Sequence, residues 1–150
     1  MTTHIYSSEL WLPAPRVDVF SFFADAHNLE AITPPWLNFR IVTPGPIQMR
    51  VGARIDYRLR VRGFPMRWQS EITGWEPSRR FVDEQRRGPY RRWVHTHAFA
   101  DQDGGTLCQD RVEYAVPGGR LINWLIVRRD IGKIFAYRTE ALARRYGGTA

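Results

Sequence analysis

Apolar and polar residues along this chain recur with two different periods, and the changes of period divide it into elements. Residues 4–12 alternate with a period of two, Ile5, Ser7 and Glu9 against Tyr6, Leu10 and Leu12, which predicts a first strand. Pro13 and Pro15 end it, and Pro15 suits the first turn of a helix. Val17, Phe20, Phe23 and Ala24 then recur at helical spacing, with Phe22 widening the stripe. A second short helix is predicted around His27–Ile32, cut off by Pro34-Pro35. From Asn38 the period returns to two, predicting strands at 38–43, 52–62, 66–76, 80–87, 91–101 and 106–116. Their connections carry turn residues: Pro44-Gly45-Pro46, Gly63, Glu76-Pro77-Ser78, Gly88-Pro89 and Asp103-Gly104-Gly105. Strands joined so briefly must be antiparallel. After Pro117-Gly118-Gly119 a long helix is predicted from about 120 to 146, with Gly147-Gly148 as its stop.

The strands have one wet face and one covered face. In 52–62, Arg54, Asp56, Arg58, Arg60 and Arg62 oppose Ile55, Tyr57, Leu59 and Val61, as in an antiparallel sheet packed on one side. The covered face reads Met66, Trp68, Ser70 and Ile72 in the next strand, and Trp93, His95, His97 and Phe99 in 91–101. In 106–116 it reads Cys108, Asp110, Val112 and Tyr114. Strand 80–87 is less distinct, and Phe81 directs Asp83 and Gln85 inward with it. On the last helix, Trp124, Val127, Ile131, Ile134, Phe135, Ala141 and Leu142 form one stripe with Arg138 near its centre. The covered faces therefore hold Asp83, Gln85, His95, His97, Asp110 and Arg138, more polar groups than a filled core keeps. A cavity accounts for them.

Composition narrows the class. A chain of 150 residues fits one domain, residues 1–150, that buries roughly 70% of its unfolded surface. Cys108 is the only cysteine, so a disulfide framework and multi-cysteine zinc sites are excluded. The N-terminal residues form no secretory signal, and the longest apolar run, Leu121 to Val127, falls far short of the ~18 residues of a spanning helix. A cytoplasmic protein is the expectation. The net charge of +7 raises nucleic acid or an anionic membrane as partners. The arginines are dispersed as doublets, however, which reads as a solvated surface and argues against nucleic acid. Peripheral membrane contact through Leu121–Val127 and Arg128-Arg129 stays open, and the sequence is silent on oligomeric state.

Phe22 to Trp36 (FFADAHNLEAITPPW), Phe81-Val82-Asp83-Glu84-Gln85, Gly88-Pro89-Tyr90, Trp93 to Phe99 (WVHTHAF) and Phe135-Ala136-Tyr137-Arg138 together resemble the helix-grip superfamily. This superfamily (SRPBCC) includes START domains, pollen-allergen-like proteins and polyketide cyclases. Within it the chain is similar to bacterial ligand-binding members of unassigned role, over nearly its whole length. The resemblance implies an α+β fold of order β-α-α-β6-α, in which a seven-stranded curved antiparallel sheet grips the C-terminal helix. It also implies a cavity between the two.

Three functional classes compete. The leading one is a non-enzymatic binder or carrier of a small hydrophobic molecule such as a lipid, polyketide or aromatic metabolite. Its candidate binding residues are Trp36, Phe39, Trp68, Trp93, Tyr114 and Phe135 as apolar wall, and Asp83, Gln85, His95, His97, Asp110 and Arg138 as polar anchors. Second is a cyclase, dehydratase or hydrolase using His95 or His97 as acid or base, Asp83 or Asp110 to orient it, and Arg138 to polarise a carbonyl. Third is a membrane- or nucleic-acid-interacting module. His95-Thr96-His97 alone is weak evidence for a metal, and a satisfied core network or ligand anchors explain it as well. No cofactor and no metal is expected. Arg138 either pairs with Asp110 or Asp83 or serves as a fixed cation for a ligand carboxylate or phenolate. Cys108 has no neighbouring base and reads as an inert buried thiol.

Overall fold

The computed structural model describes residues 2–147. β1 (His4–Leu12) leads into α1 (Arg16–Ala24), two 3₁₀ turns (Ala26–Ile32 and Pro35–Leu37) and then β2 (Arg40–Ile41). β3 (Arg54–Val61), β4 (Phe64–Glu76), β5 (Arg80–Arg87), β6 (Arg92–Gln102) and β7 (Gly105–Ala115) follow. The chain ends in α2 (Gly119–Ile122), a π turn (Asn123–Val127) and α3 (Arg128–Tyr146), which run on as one long helix. The seven strands form one antiparallel sheet in the order β1-β7-β6-β5-β4-β3-β2.

Local chemistry sets the hairpins. Arg62 and Gly63 both take positive φ (50° and 83°) between the paired residues Val61 and Phe64. Asp103 and Gly104 do the same between Gln102 and Gly105. Two-residue turns of this hand match the twist of antiparallel strands. The curvature comes from β4 and β5, whose register slips between Gln69 and Ser70 and again between Ile72 and Gly74. Each slip adds an unpaired residue and bends the strands. Gly74 permits the second, since a Cβ there would meet Val82 at 3.1 Å.

One expectation gains detail and two require correction. The segment His27–Ile32 is helical but in 3₁₀ form, where the Asp25 carboxylate accepts from the His27 amide at 3.0 Å. The strand predicted at 38–43 shrinks to Arg40–Ile41, because Asn38 turns left-handed (φ 49°) to close the preceding turn. Trp124 does not join the buried stripe. The π turn inserts an extra residue per turn and advances the phase, so Asn123 is buried while Trp124 is 69% exposed. Of the expected stop signal, Gly147 caps α3 with φ 75°, and Gly148 lies outside the described residues.

The buried apolar residues fall into three clusters. The largest joins Phe20, Phe22 and Phe23 of α1 to Phe81, Phe99 and Leu142. A second packs Val112 and Tyr114 of β7 on Ile131 and Phe135 of α3, and a third gathers Ala26, Ile55 and Tyr57. A domain of this size ordinarily has one contiguous core. Here the clusters surround a space between the sheet and the long helix.

Candidate functional site

That space is a cavity of about 790 Å³ with a mostly apolar wall. From the sheet it is lined by inward residues of β3 to β6, including Tyr57, Trp68, Ile72, Asp83, Trp93, His95 and His97. The long helix contributes Ile126, Ile131, Ile134, Phe135 and Arg138. Trp68 and Trp93 meet edge to face at 5.3 Å, and Phe135 presents its ring edgewise to His95 at 5.4 Å.

The polar floor comes from three neighbouring strands. His95 and His97 stand two apart on β6, so both point inward. Asp83 on β5 and Asp110 on β7 flank them: Asp83 lies opposite His95, and Asp110 lies opposite His97. The hydrogen bonds run diagonally instead. His97 Nε2 reaches Asp83 Oδ2 at 2.7 Å, and His95 Nε2 reaches Asp110 Oδ1 at 2.7 Å. The imidazoles stack 3.6 Å apart, and His97 is sandwiched on its other side by Phe81 at 4.0 Å.

Charge in this tetrad is set by burial against pairing. Burial pushes Asp110 up, but the His95 hydrogen bond and the nearby charges of His95, His97 and Arg138 outweigh it and bring the carboxyl down to about 2. Asp83 is likewise held below the usual carboxylate range, burial being outweighed by the His97 hydrogen bond and the same charges. Burial, with His95 alongside, pushes His97 down to about 4 against the pull of both acids. At neutral pH both carboxylates are therefore acceptors only, and neutral His97 carries its proton on Nε2. Its Nδ1 is left buried without a hydrogen-bond partner, 3.5 Å from Asp110 Oδ1.

Asp83, His95 and His97 bring three potential ligand atoms within 4.8 Å of one another. The stacked rings differ in tilt by only 26°. Imidazole binds a metal along its in-plane lone pair at about 2.0–2.1 Å, and lone pairs held in two stacked planes 3.6 Å apart do not readily meet at one ion. The donor set suits a hydrogen-bonded network better than a metal.

Arg138 contacts no acid within 4.0 Å among the described residues, so the pairing expected with Asp110 or Asp83 is absent. Its guanidinium rests 5.1 Å from the Phe135 ring centre, and its Nε and Nη1 are buried without partners. Of the other candidates, Trp36 and Phe39 line the cavity, Trp36 from a turn where it is 57% exposed and meets the Tyr137 ring at 5.9 Å. Three candidates stand behind the wall. Asp110 holds His95 from β7 and does not itself line the cavity. Gln85 closes its own hairpin, exchanging hydrogen bonds with the Tyr90 backbone. Tyr114 donates to Asn123 Oδ1 at 2.7 Å and fastens the sheet to the π turn.

Sequence reasoning passed over Ser70 and Tyr57 as lining residues, although both sit on strand faces it placed inward. It also missed the bidentate pair of Arg62 with Asp130 (2.9 and 3.0 Å), which ties the β3–β4 hairpin to α3 beside the cavity. No local signal links residues 68 positions apart. Cys108 is buried, and burial next to Asp110 pushes its thiol up to about 12. No helix among the described residues is long and apolar enough to cross a membrane.

The match of residues 12–133 to the family model "Polyketide cyclase / dehydrase and lipid transport" runs from the end of β1 through β7 into the first turns of α3. The chain belongs to this family. Solved structures share the family's fold at low identity. Protein CV1439 from Chromobacterium violaceum is 16% identical, with a TM-score of 0.75 over 95% of this chain and 97% of that one. Ara h 8.0201 is 14% identical, with a TM-score of 0.71 over 97% and 98%. Ginseng major latex-like protein 151 from Panax ginseng is 12% identical, with a TM-score of 0.71 over 96% and 97%. These likenesses fix the seven-stranded, helix-gripping fold. No curated protein matches the chain significantly in sequence.

Proposed function

We propose that this family member binds and carries a small hydrophobic molecule in the cavity between its sheet and its C-terminal helix. The observation that supports this reading is a space of about 790 Å³, walled by aromatic and aliphatic side chains and floored by a few polar groups. Pockets of a few hundred to about 1,000 Å³ with this composition suit a small apolar ligand. Burying its surface contributes about 25 cal/mol per Å². Native mass spectrometry of gently purified protein tests the reading. A retained apolar molecule of a few hundred daltons is expected, or uptake of one when offered; failure to take up any apolar probe overturns it.

An acid–base enzyme of the cyclase or dehydrase kind is the second reading, favoured by one observation. Both histidines line the cavity, and each has a carboxylate at 2.7 Å. The same geometry makes it second. Both Nε2 atoms are committed to the acids, and His97 Nδ1 is sealed. That leaves His95 Nδ1, 3.9 Å from Asp83 Oδ2, to exchange a proton with a ligand. On this reading the protein turns over a β-hydroxy ketone and His95→Gln abolishes that turnover; on the carrier reading the unmodified protein shows none.

A further inference from the structure

The guanidinium of Arg138 is the one strong charge in the cavity wall that the protein brings close to the apolar space and leaves unmatched among the described residues. Lys133 on α3 is exposed to solvent, and Arg62 and Asp130 neutralise each other. Asp83 is committed to His97, and Asp110 to His95. Both acids lie far enough from Arg138 that its charge lowers their pKa values without any ion pair forming. Arginine cannot shed its proton to escape this position. Phe135 supports one face of the guanidinium but uses none of its N–H groups, while Nε and Nη1 stay buried without acceptors. Leaving such a charge unpaired in a low-dielectric wall is among the costlier arrangements in a folded protein. A counter-ion that arrives with the ligand removes that cost.

We infer that the ligand is an amphipathic acid: an apolar body with one oxyanion, a carboxylate, sulfonate or phenolate, that Arg138 neutralises inside the cavity. The inference rests on the reading of the cavity as a hydrophobic binding site and specifies what enters it. The oxyanion sits at Arg138, and the apolar body lies against the aromatic and aliphatic wall to which Trp68, Ile72 and Ile134 belong. The proposal requires that the ionised aspartates, held to the sheet by their imidazoles, leave the guanidinium's charge available.

Two fluorescent probes separate the possibilities. 1-Anilinonaphthalene-8-sulfonate and N-phenyl-1-naphthylamine share the same apolar body and differ by the sulfonate. The expected result is that the protein binds the sulfonate at least about tenfold more tightly, the ratio one charge-assisted hydrogen bond supplies. Arg138→Gln abolishes the preference, so that the sulfonate and the neutral probe bind with equal affinity. Arg138→Lys keeps part of the preference. Since a loss of packing would weaken both probes together and keep their ratio, the collapse of the ratio is specific to this role. Equal binding of the two probes by the unmodified protein, or a preference that survives Arg138→Gln, overturns the inference and leaves the cavity reading intact. Failure of both probes to bind overturns both.

Discussion

Asp83 lies directly across the β5–β6 ladder from His95, yet its short hydrogen bond comes from His97, one inward position further along the strand. Asp110 mirrors it from β7, opposite His97 but bonded to His95. The crossed arrangement fastens three adjacent strands to one another through side chains, at the floor of the cavity.

Removing one carboxylate exposes the crossing. Asp83→Ala leaves the His97 Nε2–H without its acceptor and is expected to cost about 2–3 kcal/mol in urea denaturation, the range for a lost buried hydrogen bond to a charge. Imidazole ¹⁵N shifts should report a large change at His97 and a small one at His95. Asp110→Ala should reverse that order. Equal disturbance of both rings by each variant contradicts the diagonal pairing.

Acid should weaken the fold over a defined window. In the unfolded chain His97 takes up its proton near pH 6.5, whereas in the folded protein it does so only near 4. Between these values the unfolded state binds more protons, so stability falls as the pH drops through this range. Asp110, down at about 2 in the folded state, extends the loss below about pH 4. Urea titrations at a series of pH values should show the slope, and His97→Phe should remove the part between 6.5 and 4.

The Arg62–Asp130 pair should govern access more than stability. Arg62 is 56% exposed at its side chain and Asp130 28%, so solvent screening leaves the pair worth at most about 1 kcal/mol. Asp130→Asn is therefore expected to leave the melting temperature within a few degrees. It should raise both association and dissociation rates of N-phenyl-1-naphthylamine in stopped-flow measurements, because it frees the β3–β4 hairpin from α3. Unchanged rates exclude this hairpin from the path of the ligand.

Filling the space should separate binding from folding. Ile134 projects from α3 into the cavity, and Ile134→Trp adds volume where nothing stands in the way. Affinity for the neutral probe is expected to fall at least about tenfold, equivalent to 1.4 kcal/mol, while thermal stability holds or rises. Undiminished binding would place the probe elsewhere on the protein.

The strands and their inward faces were legible because period-two patterning is local: Ile55, Tyr57 and Leu59 declare their side within one strand. His95 and His97 were legible as inward for the same reason, and the resemblance located the cavity. What failed to show was what depends on phase or on distant partners. Nothing in Asn123-Trp124-Leu125-Ile126-Val127 announces a π turn, and that turn alone moved Trp124 outside and Asn123 in. Inward direction also does not distinguish a wall from what lies behind it. Gln85, Asp110 and Tyr114 share faces with lining residues but are drawn aside by Tyr90, His95 and Asn123. Arg138 was recognisable as an anomaly on its stripe, whereas its lack of a partner is a three-dimensional fact.

Cys108, the sole cysteine, is shut beneath the sheet with its thiol pushed up to about 12, so it stays silent toward maleimides and disulfide reagents in the native state. A single cysteine introduced at an exposed position therefore becomes the only reactive sulfur, and two of them the only reactive pair. Placed at Phe64 on the hairpin and at Lys133 on α3, both exposed, such a pair can carry a donor and an acceptor dye. Their separation then reports breathing between hairpin and helix in the otherwise unaltered chain.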